Sequence, residues 1–87
     1  MPRKPSFIKL NEAEVDELGS TLKTAVRQGR LRWRRRLQII WFSHEGWSVQ
    51  RITRYLDVSE QTVWKCRKVY KEKGLDGLRG KYFSHRL

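Results

Sequence analysis

Between positions 51 and 68 the chain gathers side chains suited to hydrogen bonding along an extended polyanion. The amide of Gln61 offers one donor and one acceptor, the pair that matches the major-groove edge of adenine. Lys65 and Lys68 can donate to guanine or to phosphate, and Glu60 can accept from the amino group of cytosine. Ser59 and Thr62 stand at a helix start, where free amides and the helix dipole favour a phosphate. Arg67, on the same basic helix, is expected among the DNA contacts. Arg51 and Arg54 lie on the helix before it, which crosses the phosphates in such an arrangement. Arg34 and Arg35 come from an earlier arginine block and are expected to grip phosphate. Trp64 has two readings: a ring packed on a thymine methyl or the sugar–phosphate wall, or a roof over a neighbouring helix or dimer contact.

Groups that could do covalent or metal chemistry are few. His44, His85 and Cys66 cannot build the usual four-ligand zinc site without matching carboxylates. Cys66 falls on an apolar helix face and reads as packing, and His44 ends an apolar stripe as a partly buried core residue. The acids Glu12, Glu14, Asp16 and Glu17 complement a helix N-terminus rather than form a catalytic cluster. Gly74 and Gly77 read as a cap and a turn, not a phosphate loop. The expectation is a non-enzymatic protein with no cofactor, no metal and no evident small-molecule ligand.

The elements that position these groups are helices. Asn11 with Glu14 makes a capping signal, and Val15, Leu18, Leu22 and Val26 recur at three-and-four spacing, predicting a helix over about 12–27. A second, from about Leu31 to His44, carries Trp33, Leu37, Ile40 and Trp41 on one face. Ile39 and Phe42 widen that surface, so it is expected to be the central helix. Ser48 caps a third helix reaching Leu56. Asp57 and Val58 make a turn, and Ser59 caps the fourth, about 59–73. On that helix Val63, Cys66 and Tyr70 fall on one side, with Gln61, Trp64, Lys65, Lys68 and Glu72 opposite. Gly74 is expected to end it in a left-handed cap, with Leu75 and Leu78 folding back over the core. The fold class is therefore all-α, a small bundle of about four helices containing a helix-turn-helix. Residues 1–9 are expected to form a flexible basic arm, 10–78 the domain, and 79–87 a short, loose basic tail.

Size and charge bound the function. The 87 residues suffice for one domain, and the hydrophobic fraction of 38% supports a small helical core. No stretch approaches the ~18 to 20 apolar residues of a membrane span, and no apolar core of a secretory signal follows the basic start. One cysteine excludes an internal disulfide and fits a reducing compartment, so a cytoplasmic, nucleoid-associated location is expected. The formal net charge of +11 calls for a polyanionic partner, with double-stranded DNA first. A homodimer or protein-interaction module and a basic RNA-binding protein are the alternative readings.

The run from Arg34 to Leu78 resembles the N-terminal homeodomain-like helix-turn-helix region of bacterial insertion-sequence transposases of the mariner-like superfamily. The likeness covers residues 10–78. Its most specific pieces are Glu45-Gly46-Trp47-Ser48, Val58-Ser59 with Thr62-Val63, and Gly74-Leu75-Asp76-Gly77-Leu78. The resemblance implies recognition of terminal inverted repeats, with strand transfer by a magnesium-dependent downstream domain that nothing after Leu78 could house. The chain then reads as a transposase fragment or a free-standing descendant acting in transcriptional regulation. Thr53 and Asp57 stand where the family pattern usually has Ala and Gly, and Cys66 where a large aromatic is common. A tryptophan is expected to fill the space Cys66 leaves.

Overall fold

A computed structural model describes residues 8–80. Four α-helices follow one another, α1 Glu12–Arg27, α2 Leu31–His44, α3 Val49–Leu56 and α4 Glu60–Lys73, and a 3-10 turn at Leu75–Arg79 closes the domain. Among the described residues there is no strand, and no helix is long and apolar enough to cross a membrane. The fold is the all-α bundle its periodicities predict.

Local chemistry sets the boundaries. At the start of α1 the Glu14 amide donates to Asn11 Oδ1 at 2.8 Å and the Asn11 amide donates to Glu14 Oε1 at 3.0 Å, a reciprocal capping box. Ser48 and Ser59 cap α3 and α4 by accepting from the Arg51 and Thr62 amides, each at 3.1 Å. Between α3 and α4 the chain reverses through Asp57, whose φ of 58° and ψ of 51° are left-handed. That single residue supplies the bend a glycine would otherwise supply.

α2 is the centre. It packs against α1, α3, α4 and the 3-10 turn, and buries Trp33, Leu37, Ile39, Ile40 and Ser43. Ile52 and Leu56 of α3, Val63, Cys66 and Val69 of α4, and Leu78 of the 3-10 turn complete the core around it. Fully burying one such aliphatic side chain contributes about 1.5–3 kcal/mol, so this shared seam is what holds α3 and α4 in their crossing.

Several expectations are corrected. Val26 is 54% exposed, whereas its neighbour Ala25 is fully buried beside the reversal into α2, where the Arg30 amide donates to the Ala25 carbonyl. Ile8, assigned to the flexible arm, is buried in the core, and the Leu10 amide donates to His44 Nδ1 at 3.1 Å. The rest of the arm, residues 1–7, and the tail from 81 to 87 with His85 lie outside the described residues. Arg79, expected to open the loose tail, instead ends the 3-10 turn with its guanidinium 4.8 Å from the Trp33 ring centroid. Gly74 has a positive φ of 73° but a ψ of −163°, so its backbone is extended rather than left-handed helical. Its amide still closes α4 by donating to the Tyr70 carbonyl at 2.8 Å.

Candidate nucleic-acid interface

The helix-turn-helix leaves one side of α4 facing outward. Glu60, Gln61, Trp64, Lys65 and Lys68 are all exposed, while Val63, Cys66 and Val69 turn inward. A helix repeats every 3.6 residues, so Gln61, Lys65 and Lys68 form a polar stripe along two turns, opposite the core face. Thr62 is half-buried, and its hydroxyl lies 3.0 Å from Ser59 Oγ, so both hydroxyls belong to the helix cap. The stripe thus begins at a capped N-terminus, the end that carries partial positive charge.

Arg67 is not on that stripe. Expected among the DNA contacts, it is only 4% exposed, and its Nε donates to Ser43 Oγ of α2 at 2.9 Å. Ser43 Oγ in turn donates to the Ile39 carbonyl at 2.7 Å. Burial lowers the Arg67 pKa, though a guanidinium keeps its charge throughout the accessible range. The corresponding signal in the sequence was Ser43 itself, a small hydroxyl set within the apolar face of α2. A hydroxyl there needs a partner, and a long cation on the facing helix can supply one.

Trp64 stands beside Arg67, 47% exposed, with the Arg67 guanidinium carbon 5.1 Å from its ring centroid. The tryptophan thus has a buried cation beside its ring.

The flanking arginines divide into outward and inward groups. Arg34, Arg35, Arg51 and Arg54 are exposed. Arg51 places its guanidinium 3.9 Å from the centroid of Trp47. Trp47 stacks on Phe42 at 4.0 Å, and Tyr55 meets both rings edge-on. This aromatic cluster braces the corner between α2 and α3, where Trp47 follows the helix end and Tyr55 rises from α3. Arg36, in the same arginine block, points inward and donates through Nη1 to the Leu78 carbonyl at 3.1 Å. Burial is the main cause that lowers its pKa. Arg30 and Arg79 lie over Trp33, at 5.3 and 4.8 Å. The Trp33 indole nitrogen, buried beneath them, has no hydrogen-bond partner among the described residues. Sequence reasoning missed the structural work of Arg30 and Arg36, because an arginine run reads as solvated charge, and that of Arg79, because it was assigned to the tail.

The candidate chemical groups are accounted for structurally. Cys66 is fully buried, and burial pushes its thiol up to about 12, which keeps it neutral and unreactive. His44 spends Nδ1 as the acceptor for the Leu10 amide. The tryptophan that is buried, Trp33, sits by α1 and the 3-10 turn, in a cleft with Glu17, Thr21, Leu75 and Asp76.

No curated protein and no solved structure matches the chain significantly. The sequence profile of the homeodomain-like domain matches residues 30–79, from the start of α2 through the 3-10 turn, with α1 as an addition before it. Three helices in that order, the last two joined through a single left-handed residue, form the helix-turn-helix that homeodomains lay on DNA. Matched over more than half its length, the chain belongs to the homeodomain-like domain family.

Proposed function

We propose that this domain binds double-stranded DNA in a sequence-specific manner, with α4 in the major groove. The observation that carries the reading is the exposed stripe of Gln61, Lys65 and Lys68 on the face of α4 opposite its core residues. Gln61 has the amide that pairs with adenine, and Lys65 and Lys68 the ammonium groups that reach guanine or phosphate. Glu60 accepts from cytosine, and the capped turn of Ser59 and Thr62 approaches a phosphate. Arg51 and Arg54 hold the backbone on the side of α3, and Arg34 and Arg35 hold it at the start of α2. Arg67 supports this face from below and makes no base contact. The net charge of +11 supplies the long-range attraction.

The likeness of Glu45-Gly46-Trp47-Ser48 and Gly74-Leu75-Asp76-Gly77-Leu78 to mariner-like transposases supports a finer reading. In it the domain recognises the end sequences of a mobile element, or serves as a transcriptional regulator derived from such a domain. Selection of bound duplexes from a random pool tests both levels. An enriched motif is expected, surviving competitor DNA and weakening with salt, and a palindrome would point to a two-fold dimer on paired half-sites. Equal recovery of all sequences, or stronger binding to structured RNA at matched salt, would refute the assignment.

A further inference from the structure

We infer that Trp64 is a specificity-determining residue that packs its exposed indole on the C5-methyl group of a thymine. The inference rests on the groove reading of α4 and adds a contact to it. Trp64 lies three residues after Gln61 and four before Lys68, one turn from each, so it shares their side of the helix. The major groove is lined by hydrogen-bonding edges, and the thymine methyl is its one apolar feature. An exposed indole on that side of the helix has this group to cover.

The indole is also braced. Ser43 Oγ donates to the Ile39 carbonyl at 2.7 Å, Arg67 Nε donates to Ser43 Oγ at 2.9 Å, and the Arg67 guanidinium lies 5.1 Å from the Trp64 ring centroid. Each link fixes the next, from the middle of α2 to the surface of α4. A ring with a buried guanidinium beside it has a neighbour that favours its place before binding, which lowers the freedom lost on contact. Burying a guanidinium is costly, and holding Trp64 gives Arg67 a role that repacking with an aliphatic side chain would not fill. A second copy of the chain is the competing occupant. It would bring Lys65 and Lys68 of both copies together, whereas DNA brings phosphates to them.

The test uses the duplex enriched from the random pool, with each thymine replaced singly by deoxyuridine, which lacks the methyl. Binding is measured for the natural protein and for Trp64→Ala, which, at a 47% exposed site, is expected to keep the helical circular dichroism of the natural protein. One replacement is expected to weaken the natural protein about fourfold, the value of one buried methyl, and to leave Trp64→Ala unaffected. At that same position 5-methylcytosine is expected to bind about fourfold more tightly than cytosine, since it carries the same methyl. Arg67→Met is expected to shrink the deoxyuridine penalty while keeping the salt dependence, because Arg67 positions Trp64 and touches no base. Identical deoxyuridine profiles for natural protein and Trp64→Ala would overturn the proposal while leaving groove recognition intact. Loss of self-association in Trp64→Ala with those profiles unchanged would assign the ring to a second copy. Absence of any preferred duplex would overturn the groove reading and this contact with it.

Discussion

Arg67 Nε and Ser43 Oγ meet at 2.9 Å across the packing of α4 on α2, both within the core and 24 residues apart in sequence. One partner is a buried charge and the other a neutral hydroxyl, so the two are unequal. Ser43→Ala removes the acceptor and leaves the guanidinium in place, which is expected to cost about 1.5–3 kcal/mol. Arg67→Met removes the charge and keeps the volume, and is expected to stay within about 1 kcal/mol of the natural protein. Urea unfolding with unchanged m-values measures both. An Arg67→Met domain weaker than Ser43→Ala would mean that the cation itself stabilises the fold.

Gly77 is a matter of space rather than backbone angle. A Cβ there would lie 2.6 Å from Lys73 Cβ and 2.8 Å from Val69 Cγ1, because the 3-10 turn folds directly onto the last turn of α4. Gly77→Ala is therefore expected to destabilise the domain by about 1–3 kcal/mol through overpacking. A thermal midpoint equal to that of the natural protein would show that the turn can lift away without loss.

At Asp57 the backbone angle decides. Its left-handed φ of 58° is tolerated by an aspartate but not favoured, and its carboxylate sits at the negative end of α3. Asp57→Gly relieves both penalties at some cost in unfolded-chain entropy, with an expected gain of up to about 1 kcal/mol. Asp57→Val, with a β-branched side chain in the same conformation, is expected to lose about 1–2 kcal/mol. If the two substitutions moved the unfolding midpoint in the same direction, the turn would not be the source of the effect.

These positions mark how far the sequence could be read. The four helices were legible because their apolar spacing and caps agree: Asn11 with Glu14, Ser48 and Ser59 each announce a start that the backbone then follows. The turn at Asp57 and Val58 was legible too. The exposed stripe of Gln61, Lys65 and Lys68 followed from the same period. What escaped was side-chain reach. Arg36 and Arg79 have long stems whose heads turn back over neighbouring residues, and a helical wheel records only where the stem leaves the backbone. Arg67 was different: four residues after Val63 and three before Tyr70, it stands on the core side of the wheel, and its charge was what argued for the surface. Gly77 was read as a turn residue, whereas its need is set by Val69 and Lys73 across the gap. Ile8 looked like part of a basic arm because the short apolar stretch Phe7, Ile8 and Leu10, just after two prolines and before the helix cap, carries no helical period.

Cys66 makes a prediction about alkaline pH. Burial raises its folded-state pKa from 9.0 to about 12, so between these values the unfolded thiol ionises while the folded one stays protonated. The unfolded state then binds fewer protons, and stability falls with rising pH, by at most about 1.4 kcal/mol per unit from this group. Tyr70 is raised as well, chiefly by burial, and adds to the loss above its ordinary 10.0. Cys66→Val removes the thiol's share, so its stability is expected to decline less steeply from pH 9 upward. Parallel declines in the two proteins would place the alkaline loss elsewhere. A thiol reagent at pH 8 is expected to label the natural protein only as fast as it unfolds.

Base reading and phosphate gripping leave different signatures, and the exposed residues of α4 and α2 separate them. Arg35, at the start of α2, is assigned to phosphate, so Arg35→Ala is expected to weaken all duplexes alike. It should also lower the slope of log affinity against log salt by about 0.9, the counterion release of one phosphate contact. Gln61 is assigned to a base edge. Gln61→Ala is expected to lose about 1–3 kcal/mol on the preferred duplex and little on unrelated sequences, leaving the salt slope unchanged. Lys65→Ala is expected to follow Gln61 if its ammonium reaches guanine, and Arg35 if it reaches phosphate, so its salt slope assigns the contact. The readout is a pair of binding isotherms at several salt concentrations for each variant, on preferred and unrelated duplexes. Were Gln61→Ala to weaken both duplexes equally, the polar stripe of α4 would not be lying against base pairs, because a lost base contact cannot be felt where that base is absent.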